Sequence, residues 1–156
     1  MLSCDDGDLN IETLDFDSVT LQTCEAVSIT QTNILFKLSN NEALIMILGA
    51  NVLKKEVGVV DLEITAATST KIIYRIFSAA ATKNYFCDVV PPVLPVVIEE
   101  IIASQATIRI TTIEAGTVAK PTFEHKIAIT KITLETTQGQ RITDLSVSNF
   151  GTVTTN

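Results

Sequence analysis

The 156-residue sequence has no tryptophan, one histidine and three cysteines, and only 5% of it is aromatic. Its first 25 residues contain no base at all, while Asp5, Asp6, Asp8, Glu12, Asp15, Asp17 and Glu25 all fall there. Residues 26–156 then hold eleven acids against eleven bases, so the net charge of −7 is an N-terminal property. Without a basic excess anywhere, the chain is not read as a nucleic-acid binder, which must neutralise phosphates. It has no Walker loop and no GxGxxG, so nucleotide binding is unsupported. With one histidine and no CxxC pair, a structural zinc site is not expected, and no cofactor is implied. Asp5, Asp6 and Asp8 are not followed by a twelve-residue loop closed by a bidentate glutamate, so they do not read as a calcium site. The longest apolar runs, Ala43–Ala50 and Val89–Ile98, fall well short of the ~20 residues that a membrane helix needs. The second is also interrupted by Pro91, Pro92 and Pro95, which rule out a continuous helix.

What the chain has in quantity is β-branched side chains. Isoleucine (19), valine (14) and threonine (22) make up about a third of it, and these residues favour strands. Period-two alternation recurs at Ile34, Phe36 and Leu38, at Val60, Leu62 and Ile64, at Ile108 and Ile110, and at Leu145 and Val147. Each pattern predicts a strand with one buried face. Ala43–Leu48 is apolar on both parities, which predicts a central strand covered on both sides. Ser39-Asn40-Asn41-Glu42 predicts a hairpin before it, and Gln138-Gly139 a second one later. Ala115-Gly116 is read as ending a strand, with Pro121 in the loop that follows. Ile127 and Ile129 share one parity while Ile132 and Leu134 share the other, so an extra residue is expected near Thr130-Lys131, a β-bulge. A similar slip separates Ile11 from Leu14. Ala79–Phe86 reads as a helical turn, and Val97–Ala103 fits neither period cleanly.

Together these features predict an all-β fold: a two-sheet antiparallel β-sandwich of about eight strands, with at most one or two short helical turns. Residues 9–156 would form this single domain, and residues 1–8 an acidic tether.

The opening Met1-Leu2-Ser3-Cys4 resembles the end of a lipobox, the apolar-apolar-small-cysteine cleavage site of bacterial lipoproteins. The resemblance implies lipidation of Cys4, and an apolar leader that lies outside this sequence. Cys4 followed by Asp5-Asp6 also resembles the export signal that sends lipoproteins of Bacteroidota-type bacteria to the outer face of the outer membrane. In an exported protein the two other thiols, Cys24 and Cys87, usually join. Two buried, reduced cysteines are the alternative. The segment Tyr74–Thr112, with its Tyr85-Phe86-Cys87 run ahead of Pro91, Pro92 and Pro95, and the closing Phe150-Gly151-Thr152-Val153 extend the likeness. On these residues the chain resembles a family of uncharacterised Bacteroidota surface lipoproteins. The resemblance implies Cys87 as a disulfide partner and carries no activity with it.

Candidate chemistry is sparse. His125 stands beside Glu124 and Lys126 with no GxSxG serine to activate. Asp15 and Asp17 flank Phe16 on what reads as one strand face, and Glu99 and Glu100 are adjacent. Either pair reads first as a solvated face, and as a glycosidase pair only if the fold sets the carboxyls at the right separation. Thr-x-Thr runs at residues 30–32, 68–70 and 152–154 lack a fixed period and read as hydroxylated outer faces. The expected function is therefore a lipid-anchored binding or structural module at the cell surface. Its partners would be the membrane, through Cys4, and a glycan, peptide or protein ligand. The alternatives are a hydrolase of extracellular polymers that uses a carboxylate pair, and an assembly subunit that docks by β-strand addition.

Overall fold

A computed structural model describes residues 14–136, 138, 139, 141, 142 and 149–156. Nine strands and one helix follow in order: β1 (Gln22–Thr23), β2 (Asn33–Ser39), β3 (Glu42–Leu48), β4 (Gly58–Thr65), β5 (Lys71–Phe77), α1 (Lys83–Cys87), β6 (Val97–Thr117), β7 (Lys120–Glu135), β8 (Arg141–Ile142) and β9 (Asn149–Thr155). The all-β, antiparallel expectation holds. The two separate sheets do not form: the strands make one continuous sheet in the order β1-β2-β3-β5-β6-β7-β8, with β4 also on β6 and β9 also on β7. The sheet curls into a half-barrel.

The long strand β6 makes this continuity possible. Its first stretch pairs with β5 from Ile102 back to Val97, and its second pairs with β4 from Thr112 back to Gln105. β4 and β5 both run antiparallel to β6, so they act as one broken strand laid along it. Register shifts interrupt the β5–β6 and β7–β9 ladders once each and the central β6–β7 ladder twice, and the central two bend the middle of the sheet. Ser104 is the extra residue on β6, between the pairs Ala103–Leu134 and Gln105–Thr133, and Thr130 is the extra residue on β7, between Thr107–Lys131 and Ile108–Ile129. The second is the bulge expected near Thr130-Lys131. Each bulge residue turns its hydroxyl across the ladder, Ser104 to the Thr133 carbonyl at 3.4 Å and Thr130 to the Thr107 carbonyl at 3.2 Å. Bulges bend a strand and tighten its twist, and here they bring the two walls round a shared interior.

That interior holds Leu35, Leu44, Met46, Leu48, Ile72 and Tyr74 from one wall, and Ile64, Ile108, Ile110, Ile127, Ile129 and Phe150 from the other. A second, smaller core lies on the outer side of β2, β3 and β5, where Phe36, Ala43, Ile45, Ile73 and Phe77 pack under Tyr85, Phe86 and Cys87 of α1. β3 is thus covered on both sides, as its double apolar parity predicts. The β2–β3 hairpin forms, with Ser39 opposite Glu42 and Asn40 at φ +53°, a conformation asparagine tolerates. The Gln138-Gly139 turn also joins two paired strands, through Leu134–Ile142 and Glu135–Arg141.

Three readings need correction. Val97–Ala103, unassigned by pattern, is strand: it opens β6, with Val97, Ile98, Glu99 and Glu100 all exposed. Pro121 is not in a loop. β6 continues to Thr117, and Pro121 lies in β7 opposite Gly116. It can sit there because β9 reaches only as far as Phe123, so its missing N–H breaks no bond on that side. The helical turn is shifted towards Cys87, over Lys83–Cys87. Ile11, Leu145 and Val147 lie outside the described residues.

Candidate functional site

The covalent feature of the structure is the disulfide between Cys24 and Cys87, which closes a sequence separation of 63. Cys24 directly follows β1, and Cys87 ends α1. A five-residue helix has no stability of its own; α1 is held by its contacts. Phe86 stacks on Phe36 with ring centres 4.5 Å apart, and Tyr85 meets Phe77 edge-on at 4.8 Å. Beside the disulfide lies a cleft of about 180 Å³, walled by Cys24, Val27, Gln31, Ile34, Leu35 and Phe86. Asn33 shapes its floor, accepting from the Ser28 N–H at 2.8 Å and donating to the Ser28 and Gln31 carbonyls.

From Cys87 the chain runs through Asp88 into an uncharged stretch in which Val89, Val90, Val93 and Leu94 are each at least 70% exposed. The Leu94–Pro95 bond is cis. The far end of this segment is fixed by Ser78, whose N–H donates to the Val96 carbonyl at 2.9 Å and whose hydroxyl accepts from the Val96 N–H at 3.0 Å. The segment is therefore a braced loop, anchored at both ends.

A second cleft, of about 190 Å³, opens on the core side of β4 between Val52, Val57, Val60, Ile110 and Thr112, with Lys54 and Glu56 at its rim. Val57, Val59 and Val60 are more than half exposed here.

Sequence-predicted chemical residues are found in structural settings. His125 is fully buried between two hydroxyls, Nδ1 at 2.9 Å from Thr112 Oγ1 and Nε2 at 2.9 Å from Thr155 Oγ1. Burial pushes the imidazole below its ordinary range, which favours the neutral ring. A base sealed in this way reaches no substrate. Asp15 and Asp17 do not lie on a strand, because residues 14–17 precede β1. Asp17 accepts from the Asn149 N–H at 3.0 Å. Glu100 is engaged by the Arg75 guanidinium through Nε and Nη2. The clefts described above hold one carboxylate each, Glu25 and Glu56, rather than a pair. Among the described residues no group of three or more His, Cys, Asp or Glu side chains is placed to hold a metal, and no helix is long and apolar enough to cross a membrane. Cys4, Asp5, Asp6 and Asp8 lie outside the described residues.

Lys37 is the polar residue that alternation misplaces. Its parity with Leu35 turns it inward, where it is 1% exposed. Its ammonium donates to the Phe16 carbonyl at 2.7 Å and the Asn149 carbonyl at 2.8 Å. Phe150 lies 5.6 Å from it, in cation–π reach. Burial lowers the pKa of this lysine, and the charge of Asp17 opposes that shift. One side chain thus ties the entering chain and β9 to β2. The signal available in sequence was that Asn33–Ser39 is apolar on both parities around Lys37.

Comparison of the chain with protein-family models, with curated proteins and with solved structures gives no match.

Proposed function

We propose that this protein is exported, held at the outer membrane by lipid on Cys4, and acts at the cell surface as a β-rich binding or structural module. The observation that carries the reading is the Cys24–Cys87 disulfide. Such bonds persist in oxidising compartments and are rare where thiols are kept reduced. It agrees with the Leu2-Ser3-Cys4-Asp5-Asp6 start, and the acidic, base-free residues 1–8 suit a spacer between lipid and domain. In this reading the half-barrel serves as a sandwich does, its β2-β3-β5 wall and its β4-β6-β7-β9 wall enclosing one core and leaving loops and edges for a glycan, peptide or protein partner. No observation favours the hydrolase, since the two clefts beside the disulfide and β4 do not present a carboxylate pair.

Mass spectrometry of native protein extracted from membranes tests the proposal. Diacylglycerol on Cys4, together with release of a Cys4→Ala variant into the soluble fraction, is the expected result. An unmodified Cys4 in a soluble chain overturns the anchor. Two free thiols at Cys24 and Cys87 in that native protein overturn export.

A further inference from the structure

β4 pairs with β6 on one edge, and among the described residues no strand pairs with its other edge. The direction of its backbone groups can be read from its last residue. The Thr65 N–H donates to the Thr68 hydroxyl at 3.1 Å, and the Thr65 carbonyl accepts from the Thr68 N–H, the Thr68 hydroxyl and the Lys71 ammonium. Thr65 therefore points both its backbone groups away from β6. In an antiparallel pair the inward and outward residues alternate, so Val59, Asp61 and Glu63 also present N–H and C=O groups outward, while Val60, Leu62 and Ile64 bond to β6. The Thr107 carbonyl, which accepts from Thr130 on β7, fits the same alternation on β6.

An added strand would find two different faces. On the core side lie exposed Val60, half-buried Leu62 and the cleft between Val52, Val57 and Ile110, large enough for an aliphatic side chain. On the outer side lie Asp61 and Glu63. Arg109 already holds Asp61 through two bonds, at 2.8 and 2.9 Å. Glu63 accepts only a hydroxyl bond from Thr107, at 3.0 Å, and has no ion-pair partner among the described residues. A second copy of β4 is a poor occupant, because antiparallel self-pairing sets these acids opposite one another, and like charges there are repulsive. The acidic leader of a second copy is disfavoured for the same reason.

We infer that the free edge of β4 is a strand-addition site for an extended segment of another protein, apolar at alternate positions towards the Val52–Val57–Ile110 cleft and basic on the opposite face beside Glu63. Main-chain hydrogen bonds at Val59, Asp61 and Glu63 supply affinity, and the cleft and the Glu63 carboxylate supply selection. This names a binding surface for the module proposed above, but it does not depend on the lipid anchor. An unlipidated Cys4 would leave it standing.

The test uses the whole chain and two synthetic eight-residue peptides, one alternating valine with lysine and one alternating valine with glutamate. In the free protein the amides of Val59, Asp61 and Glu63 should exchange with deuterium quickly, and those of Val60, Leu62 and Ile64 slowly. The valine–lysine peptide should protect the three outward amides and shift their resonances. Val59→Pro removes one outward donor and should weaken this binding at least tenfold in a variant whose circular dichroism is unchanged. Glu63→Lys should exchange the preference, so that the valine–glutamate peptide binds and the valine–lysine peptide does not. Outward amides already protected in the free chain, equal binding of both peptides, or shifts confined to other residues would each overturn the inference.

Discussion

Reducing the Cys24–Cys87 bond isolates the contribution of the cross-link itself, because the sulfurs stay in place and only the covalent link is lost. The closed loop spans a sequence separation of 63 and contains β2, β3, β4, β5 and α1, about half of the curled sheet. Loop-closure entropy in the unfolded chain gives about 4 kcal/mol for a loop of this length. For a chain of this size, 1 kcal/mol moves the thermal midpoint by about 2–4 °C, so reduction should lower it by about 8–16 °C. Cys24 is exposed and Cys87 half-buried, so a small thiol reductant reaches the bond without unfolding the protein. For the same reason Cys24→Ala loses little packing and should match the reduced wild type closely. The loss should be felt first at α1. Once unlinked, that helix keeps only the Phe36–Phe86 and Phe77–Tyr85 ring contacts, and the outer core beneath it becomes accessible. Calorimetry with and without reductant, with near-ultraviolet circular dichroism to follow the rings, measures both effects. A midpoint that moves by less than about 3 °C, roughly 1 kcal/mol on this scale, would refute the entropic argument. A Cys24→Ala variant much less stable than the reduced wild type would refute the claim that little but the cross-link is lost.

Lys37→Met should destabilise the chain by about 2 kcal/mol in urea titration, because the buried Phe16 carbonyl and the part-buried Asn149 carbonyl lose their donor; a variant as stable as the wild type would sink the tethering role. The folded-state pKa of His125 is depressed by burial, so its contribution is fully present above the unfolded value of about 6.5 and is lost as pH falls from there towards the folded value. The urea midpoint should therefore drop between pH 7.5 and pH 5, and His125→Gln should flatten that part of the profile. Gly116 has φ +81°, and an added Cβ would come within 2.5 Å of the Lys120 carbonyl, so Gly116→Ala should cost about 1–3 kcal/mol. Gly139 has the same φ with nothing within 4 Å of an added Cβ. Gly139→Ala should cost less, and equal losses in thermal denaturation would contradict the steric part of the argument.

Much of the fold was legible because burial leaves a local trace. The double apolar parity of Ala43–Leu48 marked a strand covered on both faces, and the phase change between Ile129 and Ile132 marked the Thr130 bulge. Both follow from how side chains alternate along one strand. The continuity of the sheet was not legible, because it depends on Val97–Ile102, where all but Ile101 are exposed and the pattern carries no phase. The burial of Lys37 was not legible for a related reason. Alternation assigns a charged residue to solvent, whereas here two backbone carbonyls from distant segments, Phe16 and Asn149, solvate the ammonium in place of water. The setting of His125 likewise depends on Thr112 and Thr155, thirteen and thirty residues away. The open edge of β4 was beyond reach, since local pattern tells whether a strand has a buried face and not how many neighbours it has.

That edge has a physical tension in it. A strand of eight residues with Val57, Val59 and Val60 exposed around it is the kind of template on which sheets aggregate. Proteins blunt such edges with charge, and here the charges lie at alternate positions on one face, Asp61 and Glu63. The Arg109 hydrogen bond holds the Asp61 carboxyl below its usual range. The same two acids therefore act in opposite senses on different partners. They repel another copy of this strand, whose acids would fall opposite, and they attract a strand that brings a cation to Glu63. In the inferred pairing, selectivity would arise because Asp61 is already paired with Arg109 from the same sheet, while among the described residues Glu63 accepts only from the Thr107 hydroxyl. On an edge whose other acid is already paired, one carboxylate with no ion-pair partner among the described residues would turn an aggregation hazard into a choice of partner.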